Sequence, residues 1–291
     1  MTSGSSRVLR IATRGSSLAL WQAERVAELL GSPAELVIIE TRGDQDTTSP
    51  IHAIGGTGVF VKEVQEAVLR GEADLAVHSA KDLPAITIEG LILAAVPERA
   101  DARDALVGSR LDKLPQGASI GTGSVRRRSQ LAALRPDLEF GELRGNIGTR
   151  LSKAADFDAI VVASAALDRL GLGDRIAERL EPSVMLPQVA QGALAVECRL
   201  DDAEALVALA VIDDAIAHLA VKAERAFLAE LGGGCDVPVG AYATIKSGGM
   251  ISMQALVAQE DGSAVRRAKG VGSDPDALGR SLCALLMEDG E

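Results

Sequence analysis

Two positions in this chain carry side chains whose setting is unusual for packing. Cys235 follows Gly232-Gly233-Gly234 and is closed off by Asp236-Val237-Pro238. Glycines let a backbone bend sharply or approach another surface. A segment that holds one thiol out on a pliant arm is an odd thing to build for packing alone. The other reading is a glycine-rich turn with a buried, inert cysteine, since free Cys is among the most buried residue types. Asp82 stands beside Lys81 in Ser79-Ala80-Lys81-Asp82-Leu83-Pro84. It is either a turn-forming acid in a local ion pair, or a carboxylate placed to stabilise a developing cation or shuttle a proton.

Cations and hydroxyls recur where strands are expected to end: Arg14 and Ser16, Ser79 and Lys81, Thr122, Ser124, Arg126 and Arg127, Arg144 and Arg150. Arginine forks match carboxylates bidentately. Thr122 and Ser124 precede a helix start, where backbone N–H groups favour an anion. A run such as Arg126-Arg127-Arg128 is usually a solvated face. Here it sits at a helix start on a chain of net charge −11, which points to a small polycarboxylate or phosphate ligand met by local arginines.

Composition narrows the classes. The 291 residues suffice for two or three domains. Aromatics at 2% leave no stacking platform for nucleic acid, and the negative charge argues against a broad polyanion-binding face. The three cysteines, Cys198, Cys235 and Cys283, match no zinc or redox spacing. No metal is expected. Neither a secretory leader nor a membrane span is read from the sequence, so the expectation is a cytoplasmic protein.

The elements that would hold these residues alternate. Val8 to Ala12 reads as a strand, Ser16 as a helix cap, Ser17 to Leu30 as a helix stopped by Gly31, and Leu36 to Glu40 as a strand. Thr41 to Gly58 is a polar loop of lid type. A helix face from Phe60 to Val68 leads to a strand over Asp74–His78, whose carboxyl end carries Ser79, Lys81 and Asp82; α/β folds put their sites there. Leu91–Val96, Ser119–Gly121, Leu138–Leu143, Ala159–Ala163 and Ala193–Cys198 read as further strands, the last returning to the first domain. Helices are expected from Val125, after Arg144 and over Ser164–Leu170. A long helix through Ile216, Leu219, Ala223 and Phe227 delivers the glycine–cysteine segment. Three strands and a helix from Pro275 follow.

Taken in order, several segments resemble the porphobilinogen deaminase (hydroxymethylbilane synthase) family: Leu9-Arg10-Ile11-Ala12-Thr13-Arg14, Leu18-Ala19-Leu20-Trp21-Gln22-Ala23, Thr41-Arg42-Gly43-Asp44, Ala76-Val77-His78-Ser79-Ala80-Lys81-Asp82-Leu83-Pro84, Leu143-Arg144-Gly145-Asn146-Ile147-Gly148-Thr149-Arg150-Leu151, Gln191-Gly192-Ala193 and Gly233-Gly234-Cys235-Asp236-Val237-Pro238. They span nearly the whole chain.

The resemblance implies an α/β protein with two periplasmic-binding-protein-like α/β domains and a small α+β C-terminal domain. The expected division is 1–102 with 193–215, then 103–192, then 216–291. It implies a dipyrromethane cofactor on Cys235 through a thioether, held by Ser79, Lys81, Asp82, Thr122, Ser124, Arg126 and Arg127. Porphobilinogen would be the substrate, bound by Arg14, Ser16, Arg144, Asn146, Arg150, Arg169 and Gln191. Asp82, Arg14 and Arg144 would carry the reaction, and the enzyme would be a monomer. Many family members carry lysines near positions 53 and 57, where this chain has Ala53 and Thr57. The rival expectation is a non-catalytic, two-domain polycarboxylate-binding module, which accounts for the arginines but not for Cys235.

Overall fold

The structure, a computed structural model, describes residues 7–41, 58, 60–232 and 238–288. The segment 42–57, which includes Ala53 and Thr57, and the segment 233–237, which includes Cys235, lie outside the described residues. The expected lid and the cysteine arm therefore fall largely or wholly there.

In chain order the first elements are β1 (Leu9–Thr13), α1 (Ser17–Leu30), β2 (Ala34–Ile38), α2 (Lys62–Leu69), β3 (Leu75–Ser79) and β4 (Leu91–Ala95). Then come β5 (Asp104–Val107), β6 (Ser119–Gly121), α3 (Val125–Leu134), β7 (Glu139–Gly141), α4 (Ile147–Ser152), β8 (Ala159–Ala163), α5 (Ser164–Arg169) and β9 (Glu178–Leu180). The chain ends with β10 (Leu194–Arg199), α6 (Ala203–Leu209), α7 (Ala215–Glu230), β11 (Val239–Ile245), β12 (Ile251–Ala258), β13 (Val265–Gly272) and α8 (Pro275–Glu288).

The chain forms two compact units, residues 1–99 with 193–218, and residues 100–192 with 219–291. The first holds a five-stranded sheet in the order β2-β1-β3-β10-β4. The pairs β1–β2 and β1–β3 are parallel, and β10 is antiparallel to both β3 and β4. Alternation along each strand feeds both faces. Ile11, Leu75 and Val77 pack with Ala23 and Val26 of α1, while Ala12 and Ala76 pack with Val64 and Val68 of α2. Apolar residues at successive strand positions are what a sheet covered on both sides requires. Ser16 Oγ accepts from Ala19 N at 3.3 Å to start α1, and Gly31 at φ 60° ends it.

The second unit repeats this plan in the order β7-β6-β8-β5-β9. The pairs β6–β7 and β6–β8 are parallel, and β5 is antiparallel to β8 and β9. Leu106, Ile120, Ala159 and Val161 pack on one face with Leu131 of α3. Val107, Ile160 and Val162 pack on the other with Leu167 of α5. The same unit contains the antiparallel sheet β11-β12-β13. Leu256 of β12 packs on Leu186, and Gly240 of β11 sits so close that a Cβ would lie 2.8 Å from Pro187 O.

The sequence reading did not foresee β5, β9 or α6. Strand β5 begins at Asp104, where the charged stretch 97–104 ends, and β9 has only three residues, too few for periodicity to register. Ile216, which the sequence places on the long helix with Leu219, Ala223 and Phe227, is 64% exposed at the start of α7. The strand over 193–198 was expected to return to the first domain, and β10 does pair with β3 and β4.

Candidate active site

In the first unit the site residues gather where β1 and β3 end side by side. After β1, Arg14 and Ser16 form the turn into α1, which contributes Leu18, Ala19 and Gln22. After β3, the chain makes a single 3₁₀ turn over Ala80–Asp82. A pocket opens between these ends, lined by Arg14, Ser16, Gln22, Phe60, His78, Ser79 and Asp82 among others. The guanidinium of Arg14 lies over the ring of Phe60, 4.1 Å from its centroid, which holds a cation against an aromatic face. Gln22 is buried, and its Nε2 has no hydrogen-bond partner among the described residues. An orphaned donor on a pocket wall has a use once an acceptor enters. Lys81 shares the 3₁₀ turn with Asp82 but does not line the pocket.

In the second unit Arg126 and Arg127 begin α3, which Ser124 caps by accepting from Arg127 N at 3.4 Å. Thr122 Oγ1 in turn accepts from Ser124 N at 3.2 Å. Both arginines are buried rather than turned to solvent, 4% exposed each, and both reach Asp104, which is fully buried. Arg127 donates from Nε to Asp104 Oδ1 at 2.9 Å and from Nη1 to Val161 O at 3.0 Å. Arg126 Nη1 lies 2.8 Å from Asp104 Oδ2 and donates to Leu186 O at 2.7 Å. Gln191 Nε2 donates to Asp104 Oδ1 at 3.0 Å and to Ala102 O at 2.7 Å. Burial would push the Asp104 carboxyl up. The charges of Arg126 and Arg127, with the hydrogen bonds of Arg126 and Gln191, outweigh it and hold the group well below the usual carboxylate range.

One part of this cluster is unspent. Nε and Nη2 of Arg126 are buried and have no hydrogen-bond partner among the described residues. That edge of a guanidinium pairs bidentately with a carboxylate.

The other predicted residues are spread through the second unit. Asn146 caps α4, its Oδ1 accepting from Thr149 N at 2.9 Å. Arg144 is half-buried just before it, and Arg150 Nε donates to Gly145 O at 2.8 Å. Arg169 is buried and donates to Gly192 O at 2.7 Å. Burial lowers its pKa to about 10, so it stays charged at neutral pH. Cys198 and Cys283 are both buried, and burial pushes the Cys198 thiol up to about 11 and Cys283 in the same direction. Neither offers a thiolate at neutral pH. No group of three or more His, Cys, Asp or Glu side chains among the described residues is placed to hold a metal ion, and no helix among them is long and apolar enough to cross a membrane.

Sequence reasoning passed over Asp104, Phe60, Gln22 and His78. Gln22 and His78 stood inside the segments that carried the resemblance, yet only the fold shows that they line one pocket. Asp104 was hidden in a charged run, where an acid looks solvated until a strand buries it.

The two five-stranded sheets share one strand order, each with a single antiparallel strand inserted beside its last strand. The C-terminal part of the chain adds the small antiparallel sheet β11-β12-β13. Solved structures are only distantly alike. A TRAP periplasmic solute binding protein from Desulfovibrio salexigens with bound orotic acid is 13% identical at a TM-score of 0.37, covering 70% of this chain and 75% of that one.

The sequence comparisons go further. Residues 9–207 match the family model described as porphobilinogen deaminase, dipyromethane cofactor binding domain, and residues 218–288 match its C-terminal domain. A porphobilinogen deaminase of Roseiflexus sp. (strain RS-1) is 49% identical across 98% of this chain and 97% of its own length. One from Brevibacillus brevis is 45% identical across 97% and 94%. The chain belongs to the porphobilinogen deaminase family, and is thereby a transferase with a dipyrromethane cofactor-binding domain.

Proposed function

We propose that this protein condenses porphobilinogen head to tail on a dipyrromethane joined to Cys235, loses ammonia at each addition, and releases hydroxymethylbilane by hydrolysis. The observation that supports this most is that Arg14 and Asp82 line the same pocket. Porphobilinogen brings an acetate and a propionate, and its aminomethyl carbon becomes cationic as ammonia leaves. Arg14 binds a ring carboxylate. Asp82 faces the developing cation from a turn fixed to a buried strand, so its charge is preorganised for the transition state. Asp82 also takes up or returns a proton at the reacting nitrogen. Ser16, Arg144, Asn146, Arg150, Arg169 and Gln191 belong to the substrate-binding set of this reading, and Arg144 assists the joining of rings.

The residues present suit the cofactor. The unspent Nε and Nη2 edge of Arg126 is a donor pair of the kind a ring carboxylate requires. Ser79, Lys81, Thr122, Ser124 and Asp82 complete the holding set, and Arg127 contributes by fixing Asp104. When bound, the dipyrromethane supplies the pyrrole carbon from which the chain of rings grows. The reading includes three working domains, 1–102 with 193–215, 103–192 and 216–291, in a monomeric cytoplasmic enzyme.

Intact mass and turnover test it together. The purified protein is expected to be heavier than its sequence by two pyrrole units and to consume porphobilinogen. Cys235→Ala should have the unmodified mass and no activity, while Cys198→Ala and Cys283→Ala keep the adduct. Asp82→Asn, with its cofactor content verified by mass, should lose roughly two to three orders of magnitude in rate. A rate within about tenfold of the parent would remove Asp82 from the reaction.

A further inference from the structure

Behind the pocket wall lies a carboxylate whose partners are incomplete. Glu197 is on β10, in register with Ala76 of β3, and is fully buried. Its Oε2 accepts from Gln65 Nε2 of α2 at 2.8 Å, and the same oxygen lies 3.4 Å from His78 Nε2. Its Oε1 has no hydrogen-bond partner among the described residues. His78 is 5% exposed, lines the pocket beside Ser79, and its Nε2 has no hydrogen-bond partner among the described residues.

A buried carboxylate is costly unless donors surround it. Gln65 supplies one neutral donor. The imidazole can supply the next only if its ring proton sits on Nε2. A carboxylate or carbonyl at one ring nitrogen sets which nitrogen carries the proton, and so makes the opposite nitrogen the acceptor.

We propose that Glu197, braced by Gln65, is a positioning residue that keeps His78 protonated at Nε2. Nδ1 is then the acceptor that His78 offers to an N–H of the bound aminomethylpyrrole. The second half of this statement rests on reading the pocket as the porphobilinogen site. The first half concerns the ring alone and can be measured without turnover.

The test uses the full-length protein with its cofactor content verified by mass, labelled with ¹⁵N at histidine. Its three histidines are His52, His78 and His218, and the resonances lost in His78→Asn identify the ring. At neutral pH the parent should show a protonated Nε2 and an unprotonated Nδ1, and Glu197→Gln should mix or reverse that pattern. In steady state, Glu197→Gln should raise KM about tenfold, the size of one hydrogen bond, with kcat changed less than about threefold, because an acceptor for the substrate acts on ground and transition states alike. In His78→Asn the amide oxygen stands in for Nδ1 and has no tautomer to set. In that background Glu197→Gln should cost less than about twofold, a non-additivity that a merely structural role would not produce. A parent ring protonated at Nδ1, or at both nitrogens, overturns the proposal. So does an unchanged KM in Glu197→Gln, or an equal penalty in both backgrounds. If Glu197→Gln does not fold, the parent spectrum decides. A loaded parent that fails to consume porphobilinogen would instead refute the functional reading, while the ring spectrum still reports on Glu197.

Discussion

Asp104 Oδ2 lies 2.8 Å from Arg126 Nη1, and the facing Oδ1 lies 2.9 Å from Arg127 Nη2, so one fully buried carboxylate is shared between two buried guanidinium groups. Removing one partner of such a cluster leaves charge uncompensated in the interior. Asp104→Asn should therefore cost about 3–5 kcal/mol in unfolding free energy, read from urea denaturation. The same residue shapes the acid limb. Its carboxyl in the folded protein is held below the ordinary value of 3.8. The stability it adds is complete above that value and is lost as pH falls through it and further toward the folded-state value. Thermal midpoints between about pH 5 and about pH 3 should fall more steeply for the parent than for Asp104→Asn.

Arg126 combines two duties that a lysine separates. Arg126→Lys keeps a cation for Asp104 but removes the Nε and Nη2 edge, because an ammonium has no planar fork. The expected product is folded protein that is mostly without cofactor, seen as a dominant unmodified mass. Arg14→Leu, by contrast, should be loaded and slow. Finding Arg126→Lys fully loaded and Arg14→Leu empty would reverse these roles.

Phe60 holds Arg14 by its ring face. Cation–π contacts of this kind are worth about 0.5–2 kcal/mol. Phe60→Leu keeps apolar bulk and loses the quadrupole, so KM should rise by roughly two- to thirtyfold with a smaller change in kcat. Equal KM values for the parent and Phe60→Leu would mean that the ring only fills space.

Gly192 stands at φ 87°, and a Cβ there would lie 2.6 Å from Ala100 O and 3.0 Å from Asp101 O. Its carbonyl also receives Arg169. Gly192→Ala should destabilise by about 1–3 kcal/mol through strain at that position, visible as a lowered urea midpoint. Because the shift would also displace the acceptor of Arg169, activity should fall in the loaded protein as well.

Much of this was legible in the sequence, and the parts that were not share a cause. The strands over 119–121, 159–163, 239–245 and 251–258 and the helix from Pro275 lie where apolar runs and capping residues put them, because local signals dominate there. The α1 cap at Ser16 and its stop at Gly31 were equally local. Strand β5 was not, since its burial depends on pairing with β8 and β9 across long stretches of chain. The arginines were recognised as a cluster, but their direction was not. Nothing around Arg126 and Arg127 tells that Asp104, more than twenty residues earlier, waits inside the sheet to receive them. His78 and Glu197 form the same kind of relationship across two strands, one that neighbouring residues cannot report.

The placement of β10 also sets an order of events during synthesis. It lies between β3 and β4, so the sheet of the first unit cannot close from residues 9–95 alone. That sheet waits until Arg199 has been made, whereas every strand of the second sheet has been made by Leu180. On the ribosome, the middle of the chain can finish its sheet before the beginning can. Until then the amino-terminal strands keep an open edge between β3 and β4, the state in which a growing chain most needs protection from pairing with its neighbours.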